Sequence, residues 1–384
     1  LGIDNKSDPT SLKADDRGNV IALRDAVNVD IDRTGGVARR AGPRLVLALP
    51  GLHSLWTGPL GTFGVAAGQL YAITPTAARP LGALNSNDPC SFDTLNGATV
   101  VSNRTTLLEV RGDQVRPLAL PRGAAPAIAP VPAGGLPGGR YSVAVSYVRG
   151  DEEGALSPAR LVELGEGQGI ELQGLLWPAG VDWLRVYRTE PGGTVLYRCA
   201  DIPVGLPGYV VGGDQLGRAA TTQFLAPMPA GEQLTVWRGR VLVARGRTLY
   251  FSEPMNYGLW SPRHGFVQFA SAITLVAGVQ GGIYVGTRRG VVFLRGAKPG
   301  DWSQEAKTTE PPIPGGRAVI NGDLLPASYQ QTGRQLVAWL GPSGFVLGTD
   351  DGQLLEPQAD RLAVEAASAG SLAAHGRRIT ATLH

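Results

Sequence analysis

The chain has 384 residues, a formal net charge of +3, 43% hydrophobic and 17% charged residues, 54 Gly and 29 Pro. So many helix breakers exclude a coiled coil or helical bundle, the apolar content excludes a disordered chain, and the length predicts two or three domains with their own core. No run approaches the ~18 apolar residues of a membrane helix, and residues 1–16 are too polar for a secretory signal. Cys90 and Cys199 give neither a disulfide framework nor zinc spacing, which fits a reducing cytosol. Only Lys6, Lys13, Lys298 and Lys307 are lysine among 35 basic residues. An Arg-, Ala-, Gly- and Pro-rich composition of this kind is no nucleic-acid signal by itself.

In chain order, residues 2–12 are polar, residues 20–29 read as a strand, and NVDIDRTGG (28–36) reads as a strand entering the Thr34-Gly35-Gly36 turn. Strand–turn–strand phrases follow at 62–73 (turn Ala67-Gly68) and 97–110 (turn Asn103-Arg104). Residues 121–139, PRGAAPAIAPVPAGGLPGG, read as a linker. The texture then changes. RYSVAVSYV (140–148) is a strand, DEEGALSPA (151–159) a charged turn, 160–175 a hairpin, and 182–203 a hairpin turning at Pro-Gly-Gly. About 90 residues of evenly spaced strands suit one small β-sandwich. The hairpin phrases resume at 234–251 (turn Arg245-Gly246), 282–294 (Arg289-Gly290) and 344–355 (Asp351-Gly352). The stretch 362–374 suits a helix or a strand pair, and 363–384 is weakly patterned; pairing with the N-terminal strands is the expectation for it.

VAAGQLYAIT, VARGRTLYFS, VGTRRGVVFL and LGTDDGQLLE share one pattern of small and aliphatic residues, a turn, then aliphatic or aromatic residues. Where nothing intervenes they recur every ~40–55 residues, the period of four-stranded propeller blades. The predicted fold class is all-β. A β-propeller of five or six blades is built discontinuously from 1–120 and 226–384, with the 121–139 linker leading to an inserted β-sandwich at 140–225.

GIDNKSDPTSL (2–12) followed by LRDAVNVDIDRTGGVARRAGP (23–43) resembles the opening of the tail nozzle, or packaged-DNA stabilisation, proteins of short-tailed bacteriophages. LYFSEPMNYGLWSPRHGFVQF (249–269) and ITLVAGVQGGIYVGTRRGVVFLRG (273–296) resemble the later blades of that family. The block 140–225, with VYRTEPGG and YRCADIP, resembles a fibronectin type III-like module. The likeness covers most of 2–50 and 234–356 and consists of strand-and-turn wording, with no catalytic signature. It implies a β-propeller that assembles as a homohexameric ring below the portal and its adaptor, the head-to-tail connector. Such a ring carries tail fibres or spikes, retains packaged double-stranded DNA, and conducts it at infection without sequence-specific binding. It also implies a place in the virion tail after assembly in the bacterial cytoplasm.

No residue pattern supplies a catalytic, cofactor-binding or metal site. GEGQGIELQG (165–174) follows no α/β pattern and reads as a hairpin turn rather than a phosphate loop. His53, His264, His375 and His384 each stand alone in sequence and read as structural. Asn28, Asp30 and Asp32 begin like a calcium loop, but Arg33 stands where the glycine belongs; partial pairing with Arg33, Arg39 and Arg40 is the expectation. Asp15-Asp16, Asp151-Glu152-Glu153 and Asp350-Asp351 lie in turns, which recruit Asp for backbone reasons. Basic runs stop at two residues: Arg39-Arg40, Arg288-Arg289 and Arg377-Arg378. Trp237, Tyr250, Phe251, Tyr257, Phe266 and Phe269 read as blade core, and Trp260, in a loop between Gly258 and Pro262, is the ring most open to a sugar-facing role. Two other readings stay open. One is a receptor- or glycan-binding propeller of a phage tail. The other is a propeller-type glycoside hydrolase, which needs two carboxylates ~5–9.5 Å apart across a cleft.

Overall fold

The computed structural model describes residues 2–8, 22–31, 36–42, 44–325, 333–364, 367–376 and 378–383. Among the described residues five four-stranded antiparallel meanders succeed one another, as the repeat predicts for propeller blades. Blade one is His53–Gly58, Gly61–Ala66, Gln69–Ile73 and Ala78–Ala83. Blade two is Ser91–Leu95, Ala98–Ser102, Leu107–Arg111 and Gln114–Pro117. Blade three is Gln233–Trp237, Arg240–Arg245, Thr248–Phe251 and Phe266–Gln268. Blade four is Ile273–Val279, Gly282–Thr287, Gly290–Arg295 and Ser303–Thr308. Blade five is Arg317–Asn321, Gln335–Gly341, Gly344–Gly348 and Leu354–Leu355.

Blades stack face to face, so a middle strand is covered on both sides and shows no alternation. Ala98–Ser102 and Gly282–Thr287 are buried at every residue, as expected for short unbroken apolar runs bounded by turns. The turns Ala67-Gly68, Asn96-Gly97 and Arg238-Gly239 each hold two consecutive positive φ values, 50° and 71°, 46° and 74°, and 46° and 72°. That is type I′ geometry, whose twist matches the flanking strands, and glycine in second place carries no Cβ penalty.

Each blade is tied to the next. Trp56 of blade one stacks on Phe92 of blade two at 5.7 Å. Ser102 of blade two donates to Gly231 O, just before blade three, at 2.7 Å. Trp237 of blade three donates through Nε1 to Val279 O of blade four at 2.7 Å. Tyr284 of blade four donates to Thr349 O beyond the third strand of blade five at 2.8 Å and packs on Trp339 at 5.3 Å. A last hairpin, Gly370–His375 with Arg378–Leu383, lays Leu372 and Ile379 against the core of blade five.

The insertion is a β-sandwich of two facing sheets, the architecture that fibronectin type III modules share. One sheet runs Ala127–Leu136, Gln168–Gln173, Gly208–Val211; the other joins Glu152–Glu153, Gly139–Arg149, Trp183–Arg188 and Tyr197–Pro203, with Arg160–Leu164 also pairing Gly139–Arg149. Tyr141, Val145, Ile170, Leu172, Val186 and Ile202 fill the space between them. Two expectations are corrected here. The stretch expected as a linker at 121–139 contributes the strand Ala127–Leu136. It lies at a sheet edge and is bulged after Val131, and an edge or a bulge is where proline is tolerated in a sheet. The hairpin expected at 160–175 is a crossover: Arg160–Leu164 pairs in one sheet and Gln168–Gln173 in the other.

The chain ends meet differently from the expected strand pairing. Gly2–Ile3 pairs in parallel with Ala22–Leu23, and Val29–Ile31 pairs with Val37–Arg39. The tie to the C-terminal region runs through Asn5. Its N–H donates to Arg361 O at 2.9 Å, and its side chain exchanges bonds with Ala363 at 2.8 and 2.7 Å. Asp30, Ile31 and Arg40 face Arg378–Ala381 across a cleft of about 800 Å³.

Candidate functional site

The innermost strands of the blades converge at the propeller axis. Arg317 opens blade five and reaches across the axis. Its Nη1 donates to Val276 O of blade four, and its Nη2 to Leu234 O of blade three at 2.6 Å and Phe92 O of blade two at 3.2 Å. One guanidinium thus satisfies carbonyls from three other blades. Asp93 Oδ2 stands 3.6 Å from Arg317 Nη2 and also accepts from Thr235 Oγ1 and Val236 N. Burial lowers the Arg317 pKa and Asp93 raises it in part. Arg317 cross-braces the innermost strands, and a cavity of about 490 Å³ lined by Val236, Gly278, Val279 and Val319 lies between blades three, four and five. Nothing in the sequence marks Arg317, which looks like any polar residue before a strand.

A cleft of about 850 Å³ lies on the sandwich. Strand pairing of Arg185 with Asp201 puts an acid beside a base on one sheet face. Asp201 accepts from Arg185 Nε at 3.0 Å, Arg185 Nη2 at 3.2 Å and Arg198 Nε at 3.1 Å. Glu153 accepts from Arg185 Nη1 at 2.9 Å, and from Tyr187 Oη and Ser146 Oγ at 2.7 Å each. The bonds from Asp201 and Glu153 raise the Arg185 pKa, while burial and then Glu153 raise that of Tyr187. Cys199, on the same wall, donates Sγ–H to Val186 O, and burial pushes its thiol up to about 12. Both carboxylates are neutralised and the thiol stays protonated, so this wall holds charge in place and offers no free nucleophile.

Among the described residues, Glu152, Asp350 and Asp351 of the acidic runs are held by neighbouring groups. Glu152 bonds Arg116 at 2.9 Å and Arg149 at 2.6 Å. Asp350 Oδ1 accepts from Gln280 N at 3.1 Å, and Asp351 accepts from Thr349 and Gln353. The displaced carboxyls Asp4, Glu305 and Asp351 all move downward, opposite to a general acid. Asp30 pairs with Arg40 at 3.2 Å as expected. Asp15-Asp16, Asp32, Arg33, the Thr34-Gly35 half of the turn, Arg377 and His384 lie outside the described residues. Among the described residues no group of three or more His, Cys, Asp or Glu is placed to hold a metal ion.

His53 bonds Ser54 Oγ at 2.9 Å and Asn87 Oδ1 at 3.1 Å. His264 shows a juxtaposition the sequence hides: Nδ1 lies 3.2 Å from Ser261 Oγ and Nε2 lies 3.7 Å from Glu253 Oε1. The acid is beyond hydrogen-bond reach, and Ser261 is 3% exposed, closed to any substrate carbonyl. This is a loop brace. Trp260 is packed as well: Nε1 donates to Pro227 O at 3.1 Å, and Tyr250 meets its ring edge-on at 4.8 Å.

No family model matches the chain, and no curated protein matches it. Among solved structures, the computationally designed Ika8 protein aligns at 12% identity over 88% of this chain and 82% of that one, with a TM-score of 0.32. BBS1N in complex with ARL6DN aligns at 11% identity over 87% and 88%, with a TM-score of 0.35. PorZ, a surface component of the type-IX secretion system of Porphyromonas gingivalis, aligns at 11% identity over 88% and 51%, with a TM-score of 0.20. Likenesses at this level assign no function. Among the described residues no helix is long and apolar enough to cross a membrane.

Proposed function

We propose that the chain is a structural virion protein, the ring-forming tail nozzle of a short-tailed phage, which extends the portal–adaptor channel, retains packaged DNA and conducts it at infection. The observation that carries this reading is the placing of large exposed apolar residues on two separate bodies. Leu45, Val46, Leu55 and Leu60 lie in and just before blade one, with Leu45 77% exposed. Leu176, Trp183, Val204 and Leu206 lie at one end of the sandwich. Val204 N bonds Asp182 O, and Trp177 Nε1 donates to Leu206 O at 2.9 Å, which gathers that second group. Exposed apolar residues gathered in this way mark a contact surface, and the blade-one residues are proposed as its counterpart. A two-fold dimer needs one self-complementary patch, whereas a head-to-tail ring needs two different ones.

The test is the mass of the purified protein in solution, alone and with the phage adaptor ring. A complex of six copies on a twelve-fold adaptor is the expected result. A persistent monomer that ignores the adaptor overturns the reading.

A further inference from the structure

Two hairpin tips meet on one face of the propeller. Arg245 and Arg247 flank Gly246 in blade three, and Arg288-Arg289 turn the second strand of blade four into the third. The segment between the blades clamps both: Ile273 N donates to Gly246 O at 2.8 Å, Phe269 N to Arg247 O at 2.9 Å, and Arg288 N to Ala272 O at 3.1 Å. All four arginines are exposed, and none forms an ion pair among the described residues. Glu232 accepts from Gly246 N at 3.2 Å.

Arg288 also borders an apolar cleft of about 380 Å³ between blades four and five, walled by Pro312, Ile313, Pro342 and Val364. That is near the lower end of the ~300–1,000 Å³ of ligand pockets, room for one or two apolar side chains. Thr274 lines the same cleft. It is 8% exposed, and its Oγ1 is buried with no hydrogen-bond partner. A buried hydroxyl without a partner is costly unless something arrives to accept from it.

We propose that this cleft and its arginine rim are the docking site for an extended segment of a partner protein that alternates acidic and apolar residues. Apolar side chains fill the proline-walled cleft, a backbone carbonyl accepts from Thr274 Oγ1, and carboxylates pair with the forked guanidiniums. Duplex DNA would use the arginines but leaves the cleft and Thr274 unused. The site belongs to one copy of the chain and stands whichever assembly that copy joins.

The test is fluorescence anisotropy of the full chain with a labelled decapeptide alternating Leu and Asp, against an all-Asp peptide, a Leu–Lys peptide and a duplex DNA. The Leu–Asp peptide is expected to bind at least tenfold tighter than either control peptide. Arg288→Glu with Arg289→Glu should weaken it at least tenfold. Val364→Trp, which fills the cleft, should do the same, and Ala367→Phe replaces it if that variant melts early. Thr274→Val keeps the shape and should weaken binding several-fold. Equal binding of the Leu–Asp and all-Asp peptides, or arginine-dependent DNA binding with peptide binding untouched by cleft filling, overturns the proposal.

Discussion

Replacing Arg317 by Ala tests whether the axis is the brace that its geometry describes. The truncation removes the donors to Phe92 O, Leu234 O and Val276 O and leaves Asp93 without its cation. Hydrogen bonds to charged groups contribute ~1.5–3 kcal/mol each. Removing one partner of a buried pair costs ~3–5 kcal/mol. The bonds share one guanidinium and do not add, and 20% exposure of the side chain admits some water. The expected loss is about 3 kcal/mol, near the foot of that range. At ~2–4 °C per kcal/mol this is a Tm lower by ~6–12 °C. Arg317→Lys should recover part of the loss, because a compact ammonium cannot fork to three carbonyls. Differential scanning calorimetry and urea titration are the assays. The sandwich has its own core, so the change must fall in the propeller transition, followed through Trp237 and Trp339. A Tm for Arg317→Ala within 2 °C of the parent (under ~1 kcal/mol) refutes the reasoning and means that water satisfies the axial carbonyls.

Three further outcomes follow from particular contacts. Arg295, then Lys307, hold the Glu305 carboxyl at about 2 against an ordinary 4.5. Its contribution is therefore complete above pH 4.5 and lost as pH falls toward 2, so the Tm gap between parent and Glu305→Gln should close across that window; an equal gap at pH 3 and pH 7 contradicts it. Burial holds the Cys90 and Cys199 thiols at about 12, so a thiol reagent at pH 8 should label neither in the folded chain and both after unfolding; fast labelling of either in native buffer would contradict that. Deleting residues 1–30 removes the Asn5 bonds to Arg361 and Ala363 and should lower the propeller transition, while an unchanged Tm would mean that the N-terminal tie closes nothing.

The blades were legible because each is local. A turn of positive-φ residues between two short apolar runs specifies a hairpin without reference to the rest of the chain, and Ala67-Gly68 does so visibly. What the sequence hid depends on context. Pro130 and Pro132 speak for a linker unless the strand is known to lie at an edge, and only the sheet order says so. Gly165 and Gly167 suit a hairpin or a crossover equally, because both need the same reversal of the backbone; the pairing of 160–164 in one sheet and of 168–173 in the other decides it. At the candidate surfaces, Arg288-Arg289 looked like a run of two. Arg245 and Arg247 join it through the stacking of successive blades, which no local pattern records. Arg317 was hidden for the same reason, since its three carbonyl partners come from three other blades.

The arginine tips also constrain how a ring of this protein could be oriented. Each phosphate neutralised on duplex DNA adds ~0.9 to the slope of log K against log salt, so affinity rises steeply with every cation brought to the backbone. A ring that turned Arg245, Arg247, Arg288 and Arg289 inward would set four guanidiniums of every copy, none ion-paired among the described residues, against the duplex. Such a lumen grips DNA, whereas a conduit must release it. The ion pairs elsewhere point the other way: Arg79 is matched by Asp113, Arg104 by Asp88, and Arg295 by Glu305. A conducting ring built from this chain therefore has to line its lumen with neutralised surface and turn the arginine tips toward a protein neighbour. The adjoining apolar cleft, useless to DNA, gives that same face a reason to meet protein. Salt dependence of DNA binding by the assembled ring decides the point. A slope shallower than four phosphates per copy would give (~3.6) fits tips turned outward, and a slope that falls when the four arginines are replaced would put them in the lumen.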